Sequence, residues 1–190
     1  MRSAVNLFWA KGYDGTSLQD LQEAMGGIQP PSLYAAFGSK EELFHEALDL
    51  YRAERGGHTA KALMGTDTAK SAIGALLRSA ATVFTEPGTP KGCMILTGMT
   101  ICSSEGARAR LRRMHLEPPE LIRKRLQRGV DEGDLPAGLD LEAVAAFYAT
   151  VLQGMSMRAR DGASRKALLA VSDLAMAAWP WGQGAGRRGS

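Results

Sequence analysis

Apolar residues recur at helical spacing along almost the whole of this 190-residue chain, and the interruptions divide the pattern into short, well-marked elements. The densest pattern runs from Ser17 to Leu48. Leu18, Leu21, Ala24 and Met25 follow a spacing near 3.6, behind Ser17 as an N-cap with Asp20 three residues on. Gly26-Gly27 supplies the backbone freedom for a sharp turn. Pro31 suits a first helical position, where its missing N–H costs nothing. Leu33, Tyr34 and Phe37 are the expected buried or half-buried positions of the helix that follows. Ser39-Lys40-Glu41-Glu42 reads as a capping box, with Glu42 reaching back to the cap. Leu43, Phe44, Ala47, Leu48 and Tyr51 then give a third apolar stripe. The predicted helices cover residues 18–25, 31–37 and 40–55, the last ending near Gly56-Gly57. A further helix over 4–12, with Ala4, Val5, Leu7 and Phe8 inward, precedes them and stops at Gly12.

From Thr68 the pattern changes character. Ala72, Ile73, Leu76, Leu77, Ala80, Ala81 and Phe84 mark a helix over 68–85, broken by Glu86-Pro87-Gly88-Thr89-Pro90. An almost wholly apolar helix is predicted from Gly92 through Ile101, and all-round apolarity predicts burial. Residues 105–116 are strongly basic. Pro118-Pro119 interrupts, and a helix over 119–132 closes at Gly133-Asp134-Leu135-Pro136. Two last helices, 140–160 and 164–179, are joined by a loop short enough to make them antiparallel neighbours. Trp179-Pro180-Trp181 is expected to cap the last one against the core or a subunit seam. Gly182 to Ser190 reads as a disordered tail.

Composition narrows the class without choosing a function. The chain is 45% hydrophobic and 23% charged, has no apolar run of membrane length, and does not open on a charged-then-apolar export signal. Its two cysteines, Cys93 and Cys102, make no disulfide framework, and nine residues apart on one helix they would face opposite ways. These features predict a protein of the reducing cytoplasm. His45, His58 and His115 match no metal spacing, so neither metal nor cofactor is expected. The net charge is +3, yet residues 1–57 hold five Lys/Arg against eight Asp/Glu, so the N-terminal part is acidic. The basic run Arg108, Arg110, Arg112 and Arg113 is read as a solvated helix face, with an anionic ligand or a second subunit as the other possibility.

A helix, a glycine turn and a short second helix opening on small polar residues have the layout of a helix-turn-helix, whose second helix enters the DNA major groove N-terminus first. The run Leu7-Phe8, Gly12-Tyr13, Thr16-Ser17, Ala24, Gly26, Ser32-Leu33-Tyr34, Phe37 and Ser39-Lys40-Glu41-Glu42-Leu43 resembles, in register, the DNA-binding region of TetR/AcrR-type transcriptional regulators. A looser resemblance to one subgroup of that family covers Gly92-Cys93 with its apolar helix and the stretch from Val151 to Val171. The resemblance implies an all-α fold. A helix-turn-helix DNA-binding domain would span 1–55, a ligand-binding and dimerisation domain 56–181, and a disordered tail 182–190. It also implies a homodimer through helices 140–160 and 164–179, double-stranded DNA as partner, and a small-molecule effector that releases a repressor from a palindromic operator. The family usually carries a basic arm ahead of the signature. About three residues stand there here, so no contact is assigned to the N-terminus.

Carried over residue by residue, the resemblance makes Tyr34 and Lys40 phosphate contacts. A lysine in a first helical turn opposes the helix dipole, which a nearby phosphate would explain. Ser17 caps its helix and could also meet a phosphate. Gln29, Pro31, Ser32 and Ala35 lie where base edges or thymine methyls would be read. No Arg or Asn is placed for a bidentate base contact, so no operator is spelled out. The effector site is expected between helices of residues 68–155, with Phe84, Met94, Met99, Cys102, Leu126, Tyr148 and Leu152 as its candidates. Met94, Met99, Met114, Met155 and Met157 suit a plastic core or a pocket for apolar ligands. No nucleophile elbow, phosphate loop or paired carboxylates point to catalysis. The alternative is a helical small-molecule sensor that has lost DNA binding, favoured by the acidic N-terminal part. A helical-bundle enzyme has no residue in its support.

Overall fold

The computed structural model describes residues 1–65, 68–98 and 102–179, and among them every regular element is helical. Residues 1–51 form α1 (Arg2–Lys11), α2 (Leu18–Ala24), α3 (Pro30–Phe37) and α4 (Lys40–Tyr51). Each start follows its sequence signal. Ser17 Oγ accepts the Asp20 N–H and the Asp20 carboxylate takes the Ser17 N–H, a complete capping box on α2. At α4 only half of the expected box forms. Ser39 Oγ accepts the Glu42 N–H, but the Glu42 carboxylate lies 3.9 Å from His45 Nδ1 instead of reaching back. Gly26 and Gly27, at φ +91 and +77, make the turn between α2 and α3 in a region that disfavours a side chain.

The predicted end of the fourth helix is wrong. Helix α4 does not stop at Gly56-Gly57. It passes through a π-helical turn, Arg52–Gly56, into α5 (Gly57–Met64), an element the sequence pattern missed. Gly12 and Gly38 terminate α1 and α3 because they adopt φ +74 and +72. Gly56 and Gly57 both sit at φ −72, so nothing turns the chain out of the helix. Burial of Thr59 and Leu63 holds α5 in place beside α6.

The body is built around α6 (Ala69–Val83), which touches α5, α9, α10 and α11. Its buried positions are mostly small, including Ala69, Ala72, Gly74, Ala80 and Ala81, so neighbours approach closely. Gly129 of α9 (Glu117–Asp131) shows the limit: a Cβ there would lie 3.0 Å from Ala69 Cβ. Pro118 and Pro119 open α9 from within its first turn instead of interrupting the chain ahead of it. Helix α7 is described over Met94–Gly98, and the rest of the helix predicted through Ile101 lies outside the described residues. Helix α7 lies between Cys93 and Cys102, so the two cysteines do not share a helix as the pattern suggested; both are free thiols. Helix α8 spans Glu105–His115. Helices α10 (Leu141–Arg160) and α11 (Arg165–Ala177) pair antiparallel, and the Tyr148 hydroxyl donates to the Ala175 carbonyl at 3.3 Å. Trp179 is buried against Tyr148, as expected of a helix-end anchor. Met99, Pro180, Trp181 and the predicted tail 182–190 lie outside the described residues.

Candidate nucleic-acid interface and effector cavity

The first four helices close on aromatic rings. Phe44 meets Phe8 edge to face with centroids 4.9 Å apart and Tyr13 at 5.2 Å; Trp9 meets Tyr51 at 5.0 Å. Against this core α3 contributes one fully buried side chain, Leu33, with Phe37 half-buried. Its other predicted contact residues all face solvent. Gln29, Pro31, Ser32 and Ala35 are exposed. Tyr34, which the apolar spacing placed on the buried side with Leu33 and Phe37, is 45% exposed, because a helix of eight residues turns only one narrow face to the core. They share one short helix and its N-cap, so the structure brings them together.

Ser17 and Lys40 are less free than the pattern suggested. The Ser17 hydroxyl accepts from the Asp20 N–H and gives its only proton to Asp20 Oδ2 at 2.8 Å. Lys11 Nζ lies 2.8 Å from the other Asp20 oxygen. The Lys11 ammonium, joined by the Ser17 N–H and hydroxyl, holds the Asp20 carboxyl down to about 2. Lys40 is half-buried, with its Nζ 4.4 Å above the centre of the Tyr13 ring. Desolvation lowers its pKa, partly opposed by the nearby Asp14 carboxylate. The aromatic face therefore gives this lysine a reason for its place at the start of α4 without any phosphate.

The acidity of the N-terminal part also has an internal explanation. Asp14 accepts the Ser103 N–H at 2.7 Å and the Ser103 hydroxyl at 2.6 Å. Glu41 accepts the Ser104 hydroxyl, Asp49 pairs with Arg110 of α8, and Glu54 pairs with Arg2 at 2.9 Å. These carboxylates are engaged with other parts of the chain. Arg110, one of the basic run, is thus a tether, while Arg108, Arg112 and Arg113 are exposed as expected. Composition missed all of these contacts. The one local signal was Gly106, a poor helix former inside a helix.

A cavity of about 70 Å³ lies beneath the π-helical turn. Phe84, Ile95, Leu96, Met114, Leu121 and Leu152 supply its apolar wall, and His58 lines it from α5. Burial lowers the His58 pKa. Its Nδ1 is 3.4 Å from the Arg55 carbonyl, and its Nε2 is buried without a partner. Of the seven predicted effector contacts, Phe84 and Leu152 line this cavity. Met94, Cys102, Leu126 and Tyr148 are buried elsewhere, and Met99 lies outside the described residues. Cys102 sits at the start of α8 beside Asp14 and Glu41, and Tyr148 in the α10–α11 seam. Helical spacing marks burial, and burial alone does not distinguish a cavity wall from a filled core, so the sequence pattern could not single out the residues that line this cavity.

Among the described residues no helix is long and apolar enough to cross a membrane, and no three His, Cys, Asp or Glu side chains gather as metal ligands. The family model for bacterial regulatory proteins of the tetR family matches residues 1–47, and that for the tetracyclin repressor-like C-terminal domain matches 69–172. The chain is 33% identical over 180 residues to the HTH-type transcriptional repressor ComR of Escherichia coli (strain K12), covering 93% of this chain and 85% of that protein. It is 30% identical over 173 residues to the repressor BdcR of the same organism, covering 89% and 81%. Among solved structures, a cysteine mutant of the TetR family transcriptional regulator CifR, complexed with 26-base-pair double-strand operator DNA, is 44% identical. It superposes with a TM-score of 0.90 over 94% of each chain. By both halves of its sequence and by its fold, this chain belongs to the TetR family of bacterial transcriptional regulators.

Proposed function

We propose that the protein is a cytoplasmic, homodimeric repressor that holds a near-palindromic operator through two copies of α3 and releases it when a small molecule enters the body. The observation that carries this reading is the economy of α3. It commits Leu33 fully to the core, and Gln29, Pro31, Ser32, Tyr34 and Ala35 remain exposed for base edges, methyls and phosphates. Lys40 and Ser17 flank them; to reach a phosphate Lys40 must leave the Tyr13 ring, and Ser17 must release Asp20. The reading head is residues 1–55 and the dimerising body 56–181.

The dimer reading rests on the last two helices. Phe147 on α10 and Val171 and Leu174 on α11 are 46%, 40% and 73% exposed, with exposed alanines beside them, an apolar face suited to a second copy. Leu174→Glu is expected to yield monomers by analytical ultracentrifugation and to abolish operator binding; a variant that stays dimeric would sink this assignment. The effector reading rests on the cavity beneath the π-helical turn. Its apolar wall calls for a small, largely apolar molecule, and Arg52, Arg55 and Glu117 also line the cavity. An occupant there would press on the turn that joins α4 to α5, and it can release DNA only through its preference for the conformer with mis-spaced heads.

The test is selection of bound duplexes from a random DNA library at near-physiological salt. Enrichment of an inverted repeat, with half-sites about 34–36 Å apart or a multiple of that, is the expected result. Recovery of no sequence would overturn the reading in favour of a sensor without a reading function. On the selected site, Lys40→Met should lower the salt dependence of binding by about one phosphate per subunit.

A further inference from the structure

Helix α4, the rod that carries the reading head, is splinted along its length by α8 and the start of α9. The contacts run in the same order on both sides: Glu41 with Ser104, Asp49 with Arg110, and Arg52 with Glu117 at 3.0 Å. At the head end the splint becomes a clamp. Asp14, on the turn after α1, takes both the N–H and the hydroxyl of Ser103. Glu41, in the first turn of α4, takes the Ser104 hydroxyl, while Ser104 Oγ itself accepts the Ala107 N–H at 3.2 Å as the N-cap of α8. Two carboxylates from separate parts of the head thus meet the positive end of one body helix. Gly106 completes the fit, because any Cβ there would strike the Glu41 carboxylate. A glycine weakens a helix, and here its lack of a side chain is what admits Glu41.

The same α8 reaches the effector cavity at its other end, where Met114 forms part of the wall. One rigid element therefore spans from the cavity to the head.

We propose that Asp14 and Glu41 are positioning residues for operator recognition: by gripping the N-terminus of α8 they fix the angle of the head on the body, and with it the half-site spacing the dimer accepts. This rests on the dimeric, DNA-binding reading given above. Neither residue needs to touch DNA. They act through Ser103, Ser104 and α8. One added base pair moves a half-site by about 3.4 Å and rotates it by about 35° around the duplex, so a rigid head tolerates little change. A loosened head accepts more.

The experiment uses the full chain and the selected operator, with its half-sites moved apart or together by one and two base pairs, and measures binding to each duplex. The wild type should show a sharp optimum. The isosteric double variant Asp14→Asn/Glu41→Gln should bind the optimal duplex about tenfold more weakly while losing much less on the re-spaced ones, so that the profile flattens. Gly106→Ala attacks the clamp from the body side and should flatten it too, with the head sequence untouched. Binding of one head to a duplex carrying a single half-site should not change in either variant, which separates a positioning role from general damage to the head. If a variant fails to fold, Ser103→Ala, at an exposed position, removes one of the two bonds to Asp14 and is read in the same way. A profile as sharp as the wild type's in the folded variants overturns the clamp. A wild type that prefers no spacing overturns the operator reading, and the clamp with it.

Discussion

The head packs mostly on aromatic rings set edge to face, whereas the body packs mainly on alanine, leucine and methionine around α6, with Phe84, Tyr148 and Trp179 as buried rings farther apart. Phe8, Trp9, Tyr13, Phe44 and Tyr51 bring large area with few rotamers, and their mutual angles leave little freedom to slide. The body holds its small residues on α6 and flexible ones, Met114 among them, around a cavity. A head that presents α3 to a rigid duplex gains from a core with one arrangement. Under the proposed function, a body that responds to an occupant gains from a core with several, and the difference in side-chain type then matches a division of labour between reading and sensing.

The largest expected effect breaks this comparison if it is wrong. Phe44→Ala removes a ring that touches two others and should cost about 3–5 kcal/mol. Met114→Ala, on a wall that already faces empty space, should cost about 2 kcal/mol, at the low end for such a truncation. Urea unfolding of both variants gives the order, and a larger loss at Met114 would remove the distinction between a rigid head and a yielding body.

Much of the head was legible because its signals are local. Ser17 with Asp20, Gly26-Gly27 and the apolar stripe of α4 each act within a few residues, and each forms the expected element. Trp9 was missed as a core residue although it is nearly fully buried, because the pattern of α1 was read from its aliphatic positions and from Phe8. The Gly56-Gly57 boundary failed for a different reason: glycine permits a left-handed exit but does not impose one, and tertiary packing of α5 decided the matter. Of the clamp, only Gly106 left a local mark, and it does not say what the glycine admits. The clamp joins Asp14 to a residue 89 positions away, and nothing in either neighbourhood announces the other. The acidic head looked like an argument against DNA for the same reason, since charge counts do not record which carboxylates are turned toward the body.

A smaller effect sharpens the comparison at the level of helix caps. Ser17 and Ser164 both cap helices, but Ser17 exchanges bonds with Asp20 in both directions while Ser164 accepts a single N–H, from Ala167 at 3.2 Å. Ser17→Ala should therefore cost about 1 kcal/mol or somewhat more and Ser164→Ala less. Equal losses would show that the reciprocal bond from Asp20 adds nothing, and that the head is not the more tightly specified region at this level.

The smallest effect is a titration. Asp20 stays ionised down to about pH 2 because Lys11 and Ser17 both favour the carboxylate, against 3.8 for an unperturbed group. A depressed folded pKa means that the unfolded chain binds the proton first. The contribution to stability is then full above about pH 4 and is lost as the pH falls toward 2. The carboxyl is exposed, so the amount is small and screened by salt. The position of the midpoint is the better measurement. Carboxyl-carbon NMR should place Asp20 near 2 in the wild type and higher in Lys11→Met. That variant should still titrate below 3.8, because the Ser17 N–H and hydroxyl remain. A wild-type midpoint near 3.8 would mean that Lys11 and Ser17 do not hold Asp20 in solution. The Ser17 hydroxyl would then be free for a phosphate, and α2 would start as loosely as the helices of the body.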